Sequence, residues 1–112
     1  MQKWTIEYFT TEAGHAPVKD FIDSLPTKTK AKTFHVFELL EEFGLEVGEP
    51  HVKKLEKSIW EARVSAADGT FRYLFTKKSG RIIILLHAIN KKKQATPIYE
   101  LKTARARLKE VE

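Results

Sequence analysis

Residues 51–93 read HVKKLEKSIWEARVSAADGTFRYLFTKKSGRIIILLHAINKKK, and no other stretch limits the fold so tightly. Short alternating segments follow one another with turn signals between them. Alternation with period two marks strands that lay one face on a core. Strands are therefore expected at 51–55, at 59–66, from Phe71 onward and at 81–89. Asp68-Gly69 predicts a hairpin and Ser79-Gly80 a second turn. The segment RIIILLHAI is the most apolar and reads as the central strand. Trp60, Ala62 and Val64 share one face of their strand, with Glu61, Arg63 and Ser65 on the other. Uninterrupted alternation puts His87 on the face of Ile83 and Leu85.

The flanking segments supply the other layers. Residues 3–10 alternate loosely and predict a strand with Trp4, Ile6 and Tyr8 on one face. Pro17 suits the first turn of a helix that carries Val18, Phe21, Ile22 and Leu25 and ends near Pro26. A second helix is expected from Lys28 to Phe43, with a stripe of Ala31, Phe34, Phe37, Leu40 and Phe43. Gly44 stops it, and residues 44–50 connect to the strands. Thr96-Pro97 opens a last helix on which Ile98, Leu101, Ala104 and Leu108 recur at helical spacing. Neither helices nor sheet can bury an apolar side alone. The expectation is a single α+β domain over residues 1–112. A small antiparallel sheet packs against an N-terminal helical hairpin and carries a C-terminal helix.

A chain of 112 residues can bury one real core. It has no cysteine, so the fold owes nothing to disulfides and a cytoplasmic, reducing setting is expected. The start of the chain shows no leader pattern, and the run Ile82–Leu86 is far too short to span a bilayer, so no membrane partner is expected. The net charge of +5 is unevenly placed. Residues 1–50 hold 5 basic and 9 acidic side chains, whereas residues 51–112 hold 15 and 6. A basic surface attracts nucleic-acid phosphates, and equally an acidic protein; the plain alternative is a solvated, solubilising face.

Within the basic half, Arg63 and Arg72 lie on consecutive strands. With the hairpin centred on Asp68-Gly69, Arg72 faces Ser65 and Arg63 sits one diagonal step away. Two readings stay open: a two-arginine clamp on phosphate, or ion pairs with an acid, Glu61 being nearest. His87 can exchange protons near neutral pH, or it can be a core histidine bonded to backbone or to a neighbour. Lys53, Lys54 and Lys57 precede the Arg63 strand, and Lys91, Lys92 and Lys93 follow the His87 strand. Both groups can extend a phosphate-binding groove or simply face water. Trp60, Phe71, Tyr73 and Phe75 have the spacing of core residues, with base stacking as their alternative use.

His15, His35, His51 and His87 are scattered and show no zinc pattern. No glycine-rich nucleotide loop, kinase signature or serine hydrolase elbow is present. No cofactor or metal is expected. Before its last three residues the basic half offers only Glu56, Glu61, Asp68 and Glu100 as carboxylates, so metal-independent chemistry is the better fit.

The run KKL-x4-WEAR, then FRYLF, then IIILLHAINKKKQATP and a helix with Ala104 resembles the HigB-like, phage-derived branch of the RelE/ParE toxin superfamily. The resemblance covers nearly the whole chain. It departs at Lys57-Ser58-Ile59, where the family usually has a glycine, and at Ile89-Asn90, where it usually has an aromatic residue. The resemblance implies the RelE-like fold and a toxin of a type II toxin–antitoxin module. It implies an endoribonuclease that cuts messenger RNA at the ribosome, and a helix-turn-helix, HigA-like antitoxin as partner. It places catalytic or phosphate-binding roles on Arg63, Arg72 and His87, with weaker ones on Lys54, Lys91 and Lys92, and makes Tyr99 a further RNA-facing candidate. A related branch poisons DNA gyrase, so the fold alone leaves that activity, or a non-catalytic RNA- or protein-binding module, as alternatives.

Overall fold

A computed structural model describes residues 3–91 and 96–112. The chain runs β1 (Thr5–Tyr8), α1 (Pro17–Asp23), α2 (Thr27–Phe43), a 3₁₀ turn (Gly44–Val47), β2 (Val52–Glu56), β3 (Ile59–Ala66), β4 (Gly69–Lys78), β5 (Ile82–Lys91) and α3 (Ile98–Val111). Among the described residues the five strands form one sheet in the order β1-β5-β4-β3-β2. The architecture is α+β, with the helical hairpin on one face and α3 on the other.

The sheet is mixed rather than wholly antiparallel. β2 to β5 pair antiparallel, but β1 lies parallel to β5, with Ile6 opposite Ile83. Parallel neighbours need a long crossover, and the helices and strands between β1 and β5 supply it.

Under the hairpin, Val18 and Ile22 of α1 and Val36, Phe37 and Leu40 of α2 meet Ala62, Val64, Phe71, Tyr73, Phe75, Ile83 and Leu85. The aromatic stripe of β4 is therefore core. Trp60 is half-buried and stacks on Phe75 with 6.2 Å between ring centres. The buried stripe of α2 is rotated from the expected one. Thr29, Thr33, Val36, Phe37 and Leu40 face inward, while Ala31, Phe34 and Phe43 are exposed. Two threonines tolerate this because their hydroxyls find partners. Thr29 donates to Asp68 at 2.7 Å, and Thr33 lies 3.3 Å from the Tyr73 hydroxyl. Burial pushes that phenol up to about 12, the Thr33 bond opposing only part of the shift.

On the other face Leu101, Ala104, Leu108 and Val111 of α3 pack with Phe9, Ile59, Leu74, Ile84, Leu86 and Ile89. Ile98 does not join the stripe and is exposed.

Two local features shift the registers that simple alternation predicts. Ala66 pairs with Gly69, so the turn is Ala67-Asp68, and Arg63 stands directly opposite Arg72 rather than on a diagonal. Gly69 has φ of 137°, a conformation that favours glycine, which fixes it as the first strand residue after the turn. In β5 the register slips between Leu74–His87 and Phe75–Leu85, leaving Leu86 as the extra residue of a bulge. Ile83 and Leu85 face the hairpin, but Leu86, His87 and Ile89 face α3. A bulge re-aims the side chains beyond it, and here it moves His87 off the face of Ile83 and Leu85.

Candidate active-site groove

β2 covers β3 only as far as Val52 opposite Ala62. The next backbone N–H, of Arg63, donates to the carbonyl of His51 at 2.7 Å. Beyond that point β2 no longer covers the rim of β3, and a groove of about 710 Å³ opens there. Lys32 and His35 of α2 form one wall and His51 another, while Arg63, Ser65, Thr70 and Arg72 line it from β3 and β4. Val36 and Val64 add buried apolar surface. Among the described residues the lining contains no carboxylate.

Behind the groove sits a fully buried carboxylate. Glu61 has a side-chain exposure of 0%, against 6% for Arg72 and 28% for Arg63. Arg63 Nε donates to Glu61 Oε2 at 2.8 Å, and Arg72 Nη1 donates to both carboxylate oxygens at 3.2 and 3.3 Å. The Thr96 hydroxyl, just before α3, adds a 2.6 Å bond to Oε1. Burial alone would raise the Glu61 pKa. The bonds from Thr96, Arg63 and Arg72 and the Arg72 charge outweigh it and hold the carboxyl below its ordinary range. Both arginines pair with Glu61, as one of the two readings left open for them has it. The triad still carries one surplus positive charge, and Arg63 is its solvent-reachable member.

His87 is held elsewhere on the same face. Its Nε2 lies 2.7 Å from Glu100 Oε1, and its Nδ1 lies 3.3 Å from Arg107 Nη1. Guanidinium has no acceptor, so Nδ1 must accept and Nε2 must donate to Glu100. Both ring nitrogens are thus engaged. Arg107 also donates to the Leu86 carbonyl at 2.8 Å, at the bulge itself. His87 thus pins α3 to β5, with Glu100 and Arg107 as its polar partners instead of Arg63 and Arg72.

Lys53, Lys54 and Lys57 do not share one face. Lys53 is exposed beside Glu61 in the β2–β3 pairing. Lys54 points to the opposite face, its Nζ 5.3 Å above the Trp60 ring. Lys57 lies in the turn between β2 and β3 and is exposed. Lys91 ends β5 opposite Thr70, while Lys92 and Lys93 lie outside the described residues. Tyr99 is 63% exposed at the start of α3. Among the described residues no cluster of three His, Asp or Glu side chains is arranged to hold a metal ion, and no helix is long and apolar enough to cross a membrane.

Sequence reasoning missed Lys32, His35, His51, Ser65 and Thr70 as members of one groove. They come from separate segments, and no spacing in the chain announces them. Glu61 was visible as a neighbour of Arg63, since two residues apart on a strand means one face; its bond to Thr96 was not.

The fold and the groove together define a small α+β domain with a cationic cleft at the rim of its sheet. Residues 20–109 match the family described as phage derived protein Gp49-like (DUF891), and the chain belongs to that family. No curated protein matches the chain.

Proposed function

We propose that this protein is the toxin of a type II toxin–antitoxin module, of the HigB-like branch of the RelE/ParE superfamily, and that it cuts messenger RNA on the ribosome in the cytoplasm. The observation that carries this reading is the groove at the β3 rim. Lys32, Arg63 and Arg72 meet there with two histidines and no carboxylate among the described lining. The membership of a phage-derived family and the RelE-like arrangement of elements support it.

In this reading the substrate's own 2′-hydroxyl attacks the adjacent phosphate, and acid–base groups of the protein move the protons. Arg63 meets the phosphate, because it is the more exposed of the two guanidiniums. Arg72 stands behind it and, through Glu61, fixes its direction. A helix-turn-helix antitoxin encoded alongside would keep the toxin silent.

Inducing the protein in cells and mapping messenger RNA 5′ ends tests the function. Cuts inside translated codons are expected. Intact messages with trapped gyrase–DNA complexes would replace the reading with gyrase poisoning, and neither effect would leave a binding module. The assignment of Arg63 has its own test. Arg63→Ala should slow single-turnover cleavage on programmed ribosomes by roughly 100-fold, the scale of one lost transition-state contact. A folded Arg63→Ala protein that cuts at the wild-type rate would remove Arg63 from the site.

A further inference from the structure

His87, the histidine that the sequence singles out for proton transfer, has both ring nitrogens committed to Glu100 and Arg107. It is not among the residues lining the groove. His35 and His51 are, from different segments of the chain: His35 stands on α2, and His51 lies just before β2, its carbonyl bound to the Arg63 N–H. That bond ties the backbone of His51 directly to that of the phosphate-facing arginine. The charged groups that share the groove with the two imidazoles are Lys32 from α2, Arg63 from β3 and Arg72 from β4.

We propose that His35 and His51, rather than His87, are the catalytic residues that carry the protons of RNA cleavage, an inference that rests on the nuclease reading above. One imidazole accepts the proton of the 2′-hydroxyl as the O2′–P bond forms. The other, protonated, gives its proton to O5′ as the P–O5′ bond breaks. The products are a 2′,3′-cyclic phosphate and a free 5′-hydroxyl, with no other reactant consumed. Arg63 and Lys32 neutralise the phosphate.

Two measurements on the full chain test this. In the first, the histidine ring signals are followed by NMR while a short single-stranded RNA, blocked by a 2′-deoxy nucleotide at its centre, is titrated in. The His35 and His51 signals should move to saturation, with those of His15 and His87 unmoved. In the second, single-turnover cleavage on ribosomes is followed against pH. His35→Gln and His51→Gln should each lose about 100-fold or more and each should lose one limb of the pH profile. His87→Gln, if folded, should keep the wild-type profile. Wild-type rates and profiles in both groove variants would overturn the proposal, as would RNA-dependent movement of His87 alone. A wild type that cuts no message brings down the nuclease reading and this proposal together. A wild type that cuts while both variants match it brings down the proposal only.

Discussion

Glu61→Ala should destabilise the fold by about 3–5 kcal/mol, because it leaves a buried guanidinium without its counter-charge. Arg72 has almost no access to water, and both Arg63 and Thr96 also lose their acceptor. For a domain of this size the loss corresponds to a fall in melting temperature of roughly 15–25 °C. Glu61→Gln keeps the shape and one acceptor oxygen, so it should cost less. The pair of variants also predicts a pH dependence. The folded-state pKa of Glu61 lies below its ordinary value of 4.5. Its stabilising contribution is therefore fully present above the unfolded value and is lost as pH falls through the folded one. Chemical denaturation should show the advantage of wild type over Glu61→Gln shrinking as the solution is acidified below the ordinary glutamate range. An advantage that stays constant down to about pH 2 would mean that the carboxylate is not held by these bonds.

Gly44→Ala should be the next most damaging change, through backbone and packing at once. Gly44 closes α2 with φ of 58° and ψ of −136°, a conformation that costs about 1–3 kcal/mol for any residue with a side chain. A Cβ there would lie 2.9 Å from Trp4 Cδ1 and closer still to the indole nitrogen. The Trp4 backbone N–H donates to the Glu41 carbonyl at 2.7 Å, which fixes the Trp4 backbone beside the end of α2, and the Arg81 guanidinium lies 5.8 Å from the indole ring. Together the strain and the overlap should cost about 3–5 kcal/mol. The check is a double-mutant cycle with Trp4→Ala. Removing the indole should recover the packing part and leave the backbone part. Equal costs of Gly44→Ala in both backgrounds would show that the indole is not the obstacle.

The elements were legible in the chain because each rests on local periodicity. Phe71, Tyr73 and Phe75 announce a strand by alternation, and Pro17 and Pro97 announce helix starts by their fixed φ. What periodicity cannot carry is an interruption of itself. The bulge at Leu86 adds one residue in a run of apolar side chains where nothing marks it, and it turns His87 to the other face. The position of the β3–β4 turn differs by one residue from the Asp-Gly expectation, which suffices to bring Arg63 and Arg72 face to face. The inward threonines of α2 read as polar until Asp68 and Tyr73 arrive from 39 and 40 residues away. The groove was illegible for the same reason: its residues converge only through tertiary contacts.

Glu61 receives its hydroxyl bond from a residue 35 positions further on, past β4 and β5. The arginines reach Glu61 over short loops, Arg63 from two residues away and Arg72 from eleven. Short loops close at little entropic cost, long ones at more. In folding, the cationic pair and its carboxylate can therefore meet before the longer loop to residue 96 has closed. Thr96 then acts as a completion mark, joining the cluster only once the start of the last helix has come back to the sheet.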